Sequence, residues 1–518
     1  MDKHLIALIF LAFVLYGANT WGTAVYVLDE AKNSGCAMEM AERSDWVVPT
    51  FNDALRTDKP PLHYYFMKVA YAAIGVNPFA ARFFSVVMGV LTVLCVYLFT
   101  KELANKEAAF WSALFLTVSI QLTLQFHLAV PDPYLIFFLT AALFSFYKGY
   151  RDDKPLFFYL FYAGIALATL AKGPVAVVFS GLIILVFLLF RRDFTWRRLM
   201  RIRLFHGILI FCLIVLPWYI LVGIATDGEW LQKFFLDHNV GRFTSTMEGH
   251  GGFPLASFVI VLGALLPFSF FAPQAIRAAW KQRAGNPFLL FCLIACLVIV
   301  LFFAFSRTIL PNYPEPSLPF LSVILGAFFS QQIRSTTPVA LGWNAFVYLL
   351  ISLAIPLVAW FALKQDDTLA PITYMAGYCA ILSLGGVAGF VFIVKKQRTR
   401  ALYSYVVASS IFLLFFFYTI LPRLDGYNPV MQSLAHMDKK NKIVCYKNLN
   451  PAFVFALRRP VPVFQSVEEI ESFSDHENKF YLITQSRYLD EIDVLRSAVV
   501  YEGKDLFENT TTVVVVID

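Results

Sequence analysis

Two carboxylates, Asp29 and Glu30, close the first apolar run of the chain, and Asp58 and Lys59 stand immediately before the double proline Pro60-Pro61. A carboxylate held at the edge of an apolar span is partly desolvated and can act as general base toward an acceptor hydroxyl or phosphate. Asp29 can equally cap the helix that the sequence predicts from Ala31, because Asp is a preferred N-cap and early acidic residues suit the helix dipole. The prolines hold the backbone extended, so Lys59 is presented on a stiff segment, and His63, Tyr64 and Tyr65 after it suit the headgroup level of a bilayer. A lysine at that depth either pairs with a lipid phosphate as a point charge or snorkels to water. Charges beside apolar spans are a functional hypothesis by default; solvated loop charge is the plain alternative.

Further polar residues fall in other loops. KFFLDHNVGRFTSTMEGHGGFP carries Asp237, His238, Arg242, Glu248 and His250. Arg242 can clamp phosphate oxygens bidentately. His238 and His250, with Asp58 or Glu248, could supply donors to a divalent metal, although their spacing is not a zinc motif. HLAVPDPYL supplies His127 and Asp132, AKGPVA supplies Lys172, and SRTILPNYPEP supplies Arg307 and Tyr313. Together Lys59, Lys172, Arg242 and Arg307 can neutralise a phosphodiester or pyrophosphate-like group.

These residues must be positioned by a membrane scaffold. The 518 residues are 59% hydrophobic and only 15% charged, against about 25% charged in soluble domains. The net charge of +7 lies in Lys and Arg between apolar spans, which fits the positive-inside rule and not nucleic-acid binding. Seven cysteines, scattered and mostly inside those spans, form neither a disulfide framework nor a metal motif. The first apolar run lacks a small-residue cleavage pattern and reads as a retained span.

A window of about 20 apolar residues predicts thirteen spans, near 5–25, 78–100, 107–126, 133–150, 156–171, 173–190, 205–225, 254–273, 287–305, 316–331, 340–362, 370–394 and 402–421. With an inside N-terminus, the basic loops 101–107, 191–203, 277–283 and 395–400 all fall inside. Loops 26–77 and 226–253 then share the outer face with 127–132, 171–173 and 306–315. The expected organisation is a transmembrane domain over 1–424 and an outer α/β domain over 425–518. In the latter, strands are predicted at KIVCY (around 443–446), PVFQ (462–465), KFYLIT (479–484) and TTVVVVID (511–518), with helices at 451–459, 466–473 and 486–496. It has no nucleotide loop and no acid, base and nucleophile cluster, so its expected role is structural or acceptor-facing.

The combination DEA (Asp29 to Ala31), SDWVVP (Ser44 to Pro49), DKPPLHYY (Asp58 to Tyr65), NPFAARFFS (Asn77 to Ser85), AKGP (Ala171 to Pro174), FF..HN..RF (Phe234 to Phe243) and SR..LPNY (Ser306 to Tyr313) resembles the bacterial protein-mannosyltransferase-like and aminoarabinose lipid A transferase family. These are membrane glycosyltransferases of the C superfamily, GT-C, and the resemblance spans about the first 330 residues. It implies transfer of a sugar from a polyprenyl-phosphate carrier, typically undecaprenyl phosphate, to lipid A, another glycolipid or a protein. The setting it implies is the outer face of a bacterial inner membrane.

By that resemblance Asp29 takes the catalytic carboxylate position with Glu30 beside it, Lys59 contacts carrier phosphate, and Arg242 is a second cation near it. Asp58 and His238 match positions implicated in a metal site in the aminoarabinose branch, which usually has Glu where this chain has Asp58. Lys32 replaces an arginine of that branch in the phosphate grip. Lys172, Arg307, Asp132 and Tyr313 complete the expected site. The rival classes are a flippase for a lipid-linked glycan, whose charges should sit at mid-membrane in discontinuous helices, and an assembly subunit.

Overall fold

The computed structural model describes residues 2–241, 255–306, 309–335, 340–438, 440–477, 479–493, 497–506 and 508–517. Every segment expected to span carries helix. Among the described residues, eight helices are long and apolar enough to cross a membrane: Pro78–Leu103 (α4 below), Pro155–Lys172, Leu204–Ala225, Pro287–Ala304, Glu315–Arg334, Gly342–Gln365, Ala370–Val394 and Arg398–Asp425.

Two expected spans are broken, and counting each bent pair as one span gives ten. Lys106–Thr117 and Ile120–Phe126 meet at 66°, where Ser119 caps the second helix by accepting from the Leu122 amide. Ala256–Ala264 and Phe268–Lys281 meet at 116°, at a break holding Pro267, which cannot donate to a continuing helix. The first helix, α1 (Lys3–Tyr16), is shorter than the expected 5–25 and ends at Gly17. Beyond it Asn19 turns into the left-handed region and donates to the Phe417 carbonyl at 2.8 Å.

The loop after α1 is not extended coil. It folds into α2 (Leu28–Glu42), the two-residue strands β1 (Thr50–Phe51) and β2 (Ala54–Leu55), and α3 (Leu62–Ile74), which runs on to α4 (Pro78–Leu103). Asn52 and Asp53 have φ of 55° and 60°, the pair of left-handed residues that a tight hairpin needs and that Asn and Asp tolerate. Glu39 of α2 accepts from the Thr50 hydroxyl at 2.6 Å and the Asn52 amide at 2.5 Å, tying the hairpin to the helix.

At the C-terminal end, β3 (Lys442–Tyr446), β4 (Val463–Phe464), β5 (Phe480–Gln485), β6 (Ser497–Lys504) and β7 (Thr511–Ile517) form one sheet in the order β4-β3-β5-β7-β6. β3 runs parallel to β4 and β5, while β7 is antiparallel to β5 and β6. The four expected strands are present, and β6 is a fifth. The helix expected over 486–496 is a 3-10 turn at Ser486–Glu491. Alternation splits the sheet's side chains: Ile443 and Cys445 pack with α2 and α3 residues such as Ala37, Met38 and Met67, whereas Val444 and Tyr446 pack with Ile470 and Ile492 on the other face. One face of the sheet therefore shares its core with the loop that carries Asp29.

Candidate active site

Asp29 and Glu30 lie in the first turn of α2, whose N-cap is Val27 with no side-chain bond. The helix starts at Leu28 and not at Ala31, and Asp29 is inside it rather than capping it. One helical step separates the two carboxylates. Asp29 is exposed toward a cavity, whereas Glu30 is buried and pairs with Arg82 of α4 at 2.7 and 3.0 Å. Arg82 also donates to the carbonyls of Thr20, Thr23 and Ala24, so its guanidinium ties the chain before α2 to α4. Glu30 accepts in addition from the Ala129 amide at 3.0 Å. Its oxygens are held by structural donors, and it does not line the cavity.

The hairpin delivers its last residues to Arg56, Thr57, Asp58 and Lys59. Arg56 is buried and donates to the Tyr64 hydroxyl at 3.0 Å and to Asn33 Oδ1 at 3.1 Å, while its Nη1 lies 3.2 Å from Asp58 Oδ2. Its own carbonyl accepts from the indole of Trp230 at 2.8 Å. Trp230 lies in the short helix Glu229–Gln232 that continues as a π-helix, Lys233–Gly241, and it stacks on Phe234 of that helix. This wide helix carries His238, whose Nε2 is 3.1 Å from Asp58 Oδ1 and 3.2 Å from the Thr57 hydroxyl. Burial pushes the Asp58 carboxyl up, but Arg56, Lys59, His238 and Lys32 outweigh it and hold its pKa below the usual carboxylate value. Lys32, half-buried on α2, thus acts on Asp58 without lining the cavity.

A second polar pole comes from different helices. Lys172 ends Pro155–Lys172 and pairs with Asp132 in the first turn of Asp132–Asp152. Asn312 donates to Asp132 at 3.2 Å, and the Lys172 ammonium lies 5.4 Å from the centre of the Tyr313 ring. Both poles border one cavity of about 370 Å³: Asp29, Asp58, Lys59 and His238 on one side, Asp132, Lys172, Asn312 and Tyr313 on the other. Leu135, Pro174, Val175, Val178, Phe234, Phe302, Phe303 and Leu310, with Ser306 among them, make the rest of its wall mostly apolar.

Of the residues named from sequence, Asp29, Asp58, Lys59, Asp132, Lys172, His238 and Tyr313 thus converge. Glu30 is directed to Arg82, and Arg242 and Arg307, with Glu248 and His250, lie outside the described residues. Sequence reasoning missed Arg56, Asn312 and Arg82, although all three sit in or beside the quoted motifs.

Of Asp58 and His238, the two donors expected for a metal, one Asp58 oxygen is engaged by Arg56 and the other lies 3.1 Å from His238 Nε2. No group of three His, Cys, Asp or Glu that could hold a metal occurs among the described residues. The arrangement suits an anionic group held beside cations, next to a carboxylate and an apolar wall.

Residues 58–220 match the family model described as dolichyl-phosphate-mannose-protein mannosyltransferase. An uncharacterized protein of Aquifex aeolicus (strain VF5) is 30% identical over 332 residues, 64% of this chain and 74% of that protein. The undecaprenyl phosphate-alpha-4-amino-4-deoxy-L-arabinose arabinosyl transferase of Yersinia pestis (strain Pestoides F) is 27% identical over 364 residues, 68% of this chain and 64% of that enzyme. Among solved structures, ArnT from Cupriavidus metallidurans bound to undecaprenyl phosphate superposes with a TM-score of 0.81 at 19% identity, covering 98% of this chain and 97% of that one.

Proposed function

Because the chain belongs to the GT-C membrane glycosyltransferases, among the aminoarabinose- and mannosyltransferase-like enzymes, we propose that it moves a sugar from a polyprenyl-phosphate carrier to an acceptor at the outer face of the membrane. It is a polytopic glycosyltransferase, and the curated arabinosyl transferases it resembles are named for an undecaprenyl-phosphate-linked aminoarabinose donor. The acceptor is lipid A, a related glycolipid or a protein, and the carrier is undecaprenyl phosphate.

In this reading the acceptor oxygen attacks the anomeric carbon while the bond from that carbon to the phosphate oxygen breaks, inverting the centre. Asp29 accepts the proton of the acceptor hydroxyl. Lys59, with Arg242 as the expected second cation, stabilises the charge that grows on the departing phosphate, so the interaction strengthens toward the transition state. Arg56 and His238 fix Asp58 beside Lys59. Asp132, Lys172, Asn312 and Tyr313 supply hydrogen bonds and charge for the sugar. The apolar wall receives the first units of the carrier.

The observation that carries the reading is the meeting of Asp29 and Lys59, thirty residues apart, on one cavity with an apolar wall. Mass spectrometry of membrane lipids and surface glycans, with and without the gene, tests it. A glycan lost from one acceptor, together with an accumulated polyprenyl-phosphate sugar, is the expected result. An unchanged lipid and glycan profile would contradict it.

A further inference from the structure

Segments flanking the strands of the C-terminal sheet are bonded at two places to the loop that carries the chemistry. Before Asp29, the Tyr26 hydroxyl accepts from the Leu506 amide at 3.0 Å and lies 3.4 Å from Asp505 Oδ1, to which it donates. Asp505 is itself fixed by the hydroxyls of Thr510 and Thr512, each at 2.8 Å. Ahead of Asp58, the Asn52 side chain makes a reciprocal pair with Val461: its Nδ2 donates to the Val461 carbonyl at 2.9 Å, and the Val461 amide donates to its Oδ1 at 2.7 Å. The amide thus imitates one rung of a β-ladder between the hairpin tip and the chain leading into β4.

Each anchor lies close to one functional group. Tyr26 immediately precedes Val27, the N-cap of α2, and Asp29 stands in that helix's first turn. Asn52 sits in the β1–β2 turn, and β2 leads directly to Arg56, Asp58 and Lys59. Both anchors are side-chain bonds added to a shared apolar core, in which Tyr26 and Val461 are buried together with Ala37 and Val454. Apolar packing holds surfaces together without fixing register, whereas paired hydrogen bonds set a geometry to within a few tenths of an ångström.

We propose that the C-terminal sheet positions the active-site loop, with Tyr26 setting the acceptor-side carboxylate Asp29 and Asn52 setting the phosphate-side lysine Lys59. The proposal rests on the roles given to those two residues above. It assigns the C-terminal region work in the transfer reaction itself, and it makes Tyr26 and Asn52 positioning residues for different halves of that reaction.

The test uses the full-length protein in detergent with an undecaprenyl-phosphate sugar as donor. Tyr26→Phe keeps the ring and deletes both bonds. Asn52→Gly keeps the left-handed turn, because glycine accepts positive φ, and deletes only the side-chain pair, leaving the amide that Glu39 receives. Tyr26→Phe is expected to lower kcat by about tenfold with donor KM unchanged, and Asn52→Gly to raise donor KM by about tenfold with kcat changed less, as misplacement of a reacting group predicts. Thermal unfolding reports the folded fraction to which both constants are normalised. Variants that lose activity only in proportion to folded protein, with both constants unchanged, overturn the proposal. Should Asn52→Gly yield no folded protein, Tyr26→Phe decides alone. Asp29→Asn and Lys59→Ala run in the same assay: full activity in those two would sink the roles of the site itself, whatever the anchors do.

Discussion

One helical step, about 100°, separates Asp29 from Glu30 and sends them to different chemistry. Asp29 reaches the cavity, while Glu30 is 1% exposed and locked to Arg82. Removing one partner of a buried ion pair leaves the other uncompensated, so Glu30→Gln is expected to destabilise the protein by about 3–5 kcal/mol. Activity per folded molecule should remain, since Glu30 touches no reacting atom. Thermal unfolding in detergent and specific activity check the two halves of that statement; a fully stable but inactive Glu30→Gln would show that Glu30 is catalytic. The sequence made the carboxylate pair legible and left its division of labour hidden. The partner that decides it, Arg82, is 52 residues away, and only the packing of both α2 and α4 against α3 brings them together.

The segment from β1 to α3 holds its charges through a buried network that local sequence does not reveal. Arg56 reads as one more loop cation, yet it joins Asn33 of α2, Tyr64 of α3, Asp58 and, through its carbonyl, Trp230. His63, fully buried in α3, is held neutral: burial first, then Arg56 and Lys59, put its pKa well below the ordinary 6.5. An unfolded histidine binds a proton below that value while the folded one does not, so this contribution is present above pH 6.5 and is lost as pH falls through it. Each such group costs at most about 1.4 kcal/mol per pH unit. His127, lowered to about 3 mainly by burial, adds to the same slope. His63→Gln is therefore expected to reduce, but not abolish, the fall in melting temperature between pH 6.5 and 5. An unchanged slope would mean that His63 is already protonated in the fold. The hairpin escaped sequence reasoning because its strands are two residues long, and β6 because it is an edge strand with mostly exposed side chains.

At the scale of the whole molecule, apolar runs made the helical scaffold readable, because a bilayer demands about 20 such residues per crossing. The bends at Ser119 and Pro267 were not readable, since hydropathy averaged over a window does not register a local break. Span counting put the loops on one face, and the structure brings them to one cavity; which side of the membrane that cavity faces depends on orientation. Asp53 of the hairpin and Arg197 of the basic loop 191–203 are both exposed, and they give that orientation a direct check. Asp53→Cys is expected to react with a membrane-impermeant maleimide on intact spheroplasts, and Arg197→Cys only after permeabilisation; the reverse pattern would place the cavity on the cytoplasmic side.

In the proposed transfer from a polyprenyl phosphate, Asp29 takes the proton of the acceptor hydroxyl. Single-turnover transfer by purified Asp29→Asn, compared with the unsubstituted protein at saturating donor, measures it most directly. The expected rate is lower by about 10²- to 10⁴-fold, the usual contribution of a positioned general base, with donor binding retained because Lys59 and the apolar wall are untouched. Transfer at the unsubstituted rate would contradict it.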